Sequence, residues 1–114
     1  MKRNMDLCRA ILLHLEAQAD NSAPQRISVD GVTDGEVSYH VKLLVDAGLI
    51  DALDFSDLTS SQWDPICLTW EGHEFLDAAR DDTIWSKTKA QAGDVPIQVL
   101  KELLIQTARN AVGL

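Results

Sequence analysis

The chain has 114 residues, enough for one packed core and too few for two independent ones. Its hydrophobic fraction of 46% is ordinary for a soluble globular protein, and no apolar run approaches the roughly 20 residues of a membrane span. A formal net charge of −8 weighs against general affinity for polyanions, and residues 21–70 alone hold eight carboxylates against only Arg26 and Lys42.

The opening stretch MKRNMDLCRAILLHLEAQ has a basic tip, but Met5, Cys8, Ile11, Leu12 and Leu15 recur at three and four residues. That spacing predicts a helix from about Asn4 to Ala19 with Asn4 as its N-cap, rather than a signal peptide, and a cytoplasmic location follows by default. ADNSAP ends the helix in turn formers and a proline. QRISV (25–29) alternates and is rich in β-branched residues, which predicts a short strand, with DGVTDG as the turn after it.

Thr33 or Asp34 then caps a second helix, with Glu36 in its first turn. Val37, Val41, Leu44 and Val45 are its buried stripe, and Gly48 suits a left-handed stop. Two strands follow, IDALDF and PICLTW, joined by the long polar loop SDLTSSQWD, as in a hairpin. Thr69 caps the next helix, WEGHEFLDAAR, whose inner face is Phe75, Leu76 and Ala79. RDDT predicts a break with a new cap at Asp81 or Asp82 and a helical piece to about Gln91. After AGDVP, Pro96 suits the first turn of a last helix carrying Ile97, Leu100, Leu103, Leu104, Thr107, Ala108 and Ala111.

The order is helix, short strand, helix, hairpin, then two or three helices: an α+β, mainly helical protein with a winged-helix-like core. One chain-long domain is expected, with residues 1–72 as the core and 73–114 as a helical extension. The gap from Ala19 to Asp34 leaves little room for a middle helix, which should be missing or cut to one turn.

Two local patterns carry a resemblance. VSYHVKLLVDAGLI (37–50) resembles the recognition helix and following strand of winged helix-turn-helix regulators of the arsenic-sensing and multiple-antibiotic-resistance types. LTWEG (68–72) resembles their entry from the second wing strand into the next helix. The start MKRNMDLCRAILLHLE, the core YHVKLLVDAGLI, the stretch LTWEGHEFLDAARDDTIW and the final leucine-rich helix are together similar, over nearly the whole chain, to a bacterial family catalogued as domain of unknown function 2513, a likeness that implies a fold and no established activity. The regulator resemblance implies a DNA-reading surface on Ser38, Tyr39, His40 and Lys42. Against it, the loop SDLTSSQWD offers two aspartates and no cation, and Asp34 and Glu36 would face phosphate.

Simpler roles stand beside these. Tyr39 and His40 can be a partly buried ring pair anchoring the helix, and Lys42 a solvated charge; Leu43 can face a partner or the core. Trp70 and Trp85 are expected in the core. Trp63 is expected to be exposed or interfacial, as an aromatic on a mobile loop with a partner. With Leu100, Leu103, Leu104 and Ala108 it makes the candidate interface, the last helix being the dimerisation element. Cys8 and Cys67 read as reduced small hydrophobes. His73, Glu74 and Asp77 have only a weak metal-like spacing, and no motif for catalysis, cofactor or metal stands out. The functional expectation is a dimeric winged-helix regulator of duplex DNA; the alternative is an acidic winged-helix module that binds a protein and no DNA.

Overall fold

In the computed structural model, which describes residues 1–111, Asn4 opens the first helix by accepting the Leu7 N–H on its side-chain oxygen at 3.2 Å. The helix, α1 (Met5–Ala17), buries Leu7, Cys8, Ile11, Leu12 and Leu15, so Leu7 joins the expected stripe while Met5 is only half-buried. The second helix, α2 (Asp34–Asp46), starts at Thr33, whose hydroxyl accepts the Glu36 N–H at 3.1 Å. It stops at Gly48, where φ is +77°. Gly48 N–H reaches the Val45 carbonyl at 2.9 Å and Leu49 N–H the Leu44 carbonyl at 3.0 Å, the paired bonds of a left-handed helix stop.

The hairpin consists of β1 (Ile50–Asp54) and β2 (Trp63–Leu68), antiparallel, with Ile50 opposite Leu68 and Asp54 opposite Trp63. The register slips between Asp51 and Ala52, a bulge that bends the ribbon. Three helices follow: α3 (Trp70–Ala79), α4 (Asp82–Ala92) and α5 (Ile97–Ala111). Asp81 caps α4 by accepting the Ile84 N–H at 2.9 Å. Among the described residues there is no helix between Ala17 and Asp34, as the short gap implies.

The expected strand over 25–29 does not form. Gln25 N–H does approach the edge of β2 and donates to the Pro65 carbonyl at 2.9 Å. Pro65 has no N–H to return, so a reciprocal ladder cannot start on that edge. The segment stays irregular, held to the core by Ile27, which is 3% exposed. The sheet is therefore two-stranded.

The chain divides into two compact units, residues 1–73 and the remainder from Glu74, with the boundary inside α3. In the first, α1 and α2 pack on each other and on the hairpin around Ile11, Leu12, Val41, Leu44 and Ile50. In the second, α4 packs on α5, and the Phe75 and Trp85 rings meet edge to face with centroids 6.4 Å apart. Trp85 is buried as expected; Trp70 is not, standing 77% exposed at the start of α3. There Trp70 lies outside the buried stripe formed by Phe75, Leu76 and Ala79.

The two motifs that carried the resemblance meet in space. The Thr69 hydroxyl donates to the Gly48 carbonyl at 2.6 Å and accepts the Gly72 N–H at 3.1 Å, so one side chain ties the end of α2 to the start of α3. Thr69 N–H also donates to the Leu49 carbonyl at 2.9 Å. A β-carbon at Gly72 would lie 1.9 Å from that same carbonyl oxygen, so only glycine fits.

Candidate interaction surface

The surface predicted to read DNA begins with α2. Its first turn carries Asp34 and Glu36, stabilised there by the helix dipole, and its apolar residues turn inward on Val37, Val41 and Leu44. The same rotation takes two of the four predicted readers inward. Ser38 is 2% exposed and His40 is 1% exposed.

Both are bonded to the fold. The Ser38 hydroxyl accepts the Trp63 N–H at 2.9 Å and donates to the Ser61 carbonyl at 3.3 Å, fixing the start of β2 against α2. The His40 ring bridges α2 to the start of α1: Nε2 accepts the Asn4 N–H at 2.8 Å, and Nδ1 stands 2.7 Å from the Glu36 carbonyl oxygen. An amide N–H can only donate and a carbonyl can only accept, so the proton sits on Nδ1. Tyr39 meets the His40 ring edge to face at 5.6 Å and is half-buried. The partly buried ring pair is therefore present, and neither Ser38 nor His40 can reach a base edge.

Lys42 is exposed, with Nζ 3.0 Å from Asp46 Oδ2 one turn on. Such surface pairs are worth at most about 1 kcal/mol, so the pair does not immobilise Lys42. It does cancel its charge locally, leaving the outer face of α2 with Asp34 and Glu36 uncompensated by any other basic residue of that helix. Leu43 is half-buried beside them.

The hairpin presents a different chemistry. Its loop is held by its own aspartates: Asp57 Oδ1 accepts the Thr59 and Ser60 N–H groups at 2.8 and 2.9 Å, and Asp54 Oδ1 accepts the Ser56 N–H at 2.8 Å. These bonds favour the carboxylates: the Thr59 amide lowers the Asp57 value below the ordinary range, and the Ser56 hydroxyl and amide do the same for Asp54. On this frame Leu53, Phe55 and Leu58 stand exposed, Leu58 completely. They were missed by sequence reasoning, although a period of two gave the signal: Leu53 and Phe55 fall on the face of Asp51, opposite Ile50. Residues 43–79 contain no Lys or Arg.

Trp63 is not on the loop. It is the first residue of β2 and half-buried, because the Ser38 hydroxyl takes its N–H and lets the strand start two residues before Pro65. In α5, Leu100 and Leu104 are buried and Leu103 is half-buried, while Ala108 is exposed together with Val99. Cys8 and Cys67 are both free thiols. Burial pushes the Cys8 thiol up to about 11, partly offset by the Arg3 charge. Burial, and then the Asp51 charge, raise that of Cys67. Among the described residues, no three His, Cys, Asp or Glu side chains stand together as a metal site, and no helix is long and apolar enough to cross a membrane.

These elements define an α+β, mainly helical protein whose first unit displays an acidic hairpin with exposed apolar residues. The chain belongs to the family described as Hypothetical protein (DUF2513), whose model matches residues 2–96 and so ends just before α5. It is 43% identical over 115 residues to an "Uncharacterized protein" of Haemophilus influenzae, covering 98% of this chain and 96% of that one. No solved structure matches the chain.

Proposed function

We propose that residues 1–73 are a winged-helix module that recognises a protein partner of basic character rather than duplex DNA. The observation that carries this reading is the fate of the four side chains on the recognition-type helix. Ser38 and His40 are 2% and 1% exposed and bonded within the fold, Tyr39 meets the His40 ring edge to face, and Lys42 pairs with Asp46. A DNA-reading helix needs side chains that reach base edges and a wing that adds phosphate contacts. Here the hairpin supplies aspartates and apolar side chains instead. A homodimer through α5 has less to use than its apolar stripe suggests, since Leu100 and Leu104 are already buried.

The test is titration of labelled random duplex DNA at low salt. No binding below about 100 μM is expected, whereas a protein making several phosphate contacts binds in the micromolar range and weakens steeply with salt. Salt-sensitive micromolar binding that Lys42→Glu abolishes would replace this reading with that of a DNA-binding regulator.

A further inference from the structure

The hairpin has one edge in use and one open. Phe55 N–H donates to the Gln62 carbonyl at 2.7 Å, which sets which residues of β1 turn their backbone groups toward β2. By the alternation of an antiparallel ladder, Leu53 shares that direction, and the N–H and C=O groups of Ala52 and Asp54 point the other way. The same alternation turns the Pro65 carbonyl outward from the opposite edge, where Gln25 N–H takes it. Among the described residues the sheet order ends on the β1 side, so the Ala52 and Asp54 groups form an unused ladder there.

Side chains along this edge select what can pair with it. Leu53 and Phe55 are 46% and 54% exposed on one face, and Leu58 stands free at the loop tip. Asp51, Asp54 and Asp57 are exposed along the same stretch. An edge shaped only to repel other strands would carry charge in place of Leu53 and Phe55.

We infer that the open edge of β1 receives an extended basic segment of another protein as a third strand, its apolar residues packing on Leu53 and Phe55 and its lysines or arginines emerging on the opposite face toward Asp54, in the field of Asp51 and Asp57. This deepens the protein-partner reading above and rests on it. Main-chain bonds supply affinity in such strand addition, and alternate side chains supply selection. A second copy of this chain is a poor occupant, because pairing two β1 edges brings two sets of three aspartates together and like charges opposite one another are destabilising.

The test uses the full chain and three fluorescent peptides of about eight residues, a usual strand length: alternating Lys-Val, alternating Glu-Val, and Lys-Val N-methylated at every second amide. Lys-Val should bind below about 100 μM, and the N-methylated peptide about tenfold more weakly because its ladder bonds are lost. Glu-Val should not bind. The double variant Leu53→Ser/Phe55→Ser, altering only exposed positions, should weaken Lys-Val binding by about tenfold while leaving the thermal transition in place. Equal binding of the N-methylated peptide, no binding of Lys-Val, or dimers in sedimentation that the double variant abolishes would each overturn the inference. If the peptides fail and DNA also fails to bind, strand addition falls alone; if DNA binds in the manner described above, the protein-partner reading falls with it.

Discussion

Replacing Gly72 by alanine sets two physical effects of opposite sign against each other. Gly72 lies in α3, where alanine is intrinsically the better helix former by about 0.8–1 kcal/mol. The added β-carbon would sit 1.9 Å from the Leu49 carbonyl oxygen and must open to at least 3.0 Å. That oxygen is backbone, and it already accepts the Thr69 N–H at 2.9 Å. Moving it by about 1 Å strains the chain between Gly48 and Thr69, where the 2.6 Å bond also lies. Overpacking at about 1–3 kcal/mol, plus about 1 kcal/mol for a weakened hydrogen bond, exceeds the propensity gain. Gly72→Ala should therefore lose about 1–3 kcal/mol, lowering the melting temperature by about 4–12 °C. Gly35→Ala is the internal control: it is also helical, but its β-carbon would meet nothing nearer than Thr33 Oγ1 at 4.0 Å. It should gain about 0.5 kcal/mol. Thermal unfolding by circular dichroism measures both, and a Gly72→Ala protein as stable as the parent would refute the close approach.

Further outcomes follow from His40 and from the two thiols. His40→Ala deletes an acceptor for the Asn4 N–H and most of a fully buried ring, and should cost about 2–4 kcal/mol in denaturant unfolding. Nitrogen NMR of the parent should place the His40 proton on Nδ1; a proton on Nε2, or a cost under about 1 kcal/mol, would contradict the bridge to α1. Alkylation near pH 8 should modify Cys67 slowly and leave Cys8 untouched until denaturant is added; Asp51→Asn, by removing a charge that holds the Cys67 thiol up, should speed its reaction about twofold. Because burial lifts the folded Cys8 value from 9.0 to about 11, its contribution to stability is present below the ordinary thiol value and is lost as pH rises through about 11. Early labelling of Cys8 in the native protein would show that α1 is not packed as described.

Local chemistry made much of the fold legible. Asn4, Thr33, Thr69 and Asp81 cap helices through bonds three residues long, and Gly48 stops α2 because glycine alone enters left-handed geometry without a β-carbon penalty. The hairpin and the missing middle helix were readable for the same reason, since turn residues and chain length act locally. What the residues 25–29 would do was not, because it depended on Pro65, some forty positions away, having no N–H to return. Trp70 was misplaced in the core because the face an aromatic presents depends on helix rotation, and Trp63 lies at the start of β2 rather than on the loop because Ser38 anchors the strand there.

The candidate surface divides along the same line. The pattern VSYHVKLLVDAGLI determined by itself that a helix with one buried stripe runs into a strand, since spacing alone makes such a stripe. Which of its polar residues face outward was a tertiary decision: the Trp63 amide and the Asn4 amide, both distant in sequence, draw Ser38 and His40 inward and leave the hairpin edge as the surface on offer. Both side chains are themselves buried, where a hydroxyl or an imidazole must find a partner within the fold, and those two amides supply it.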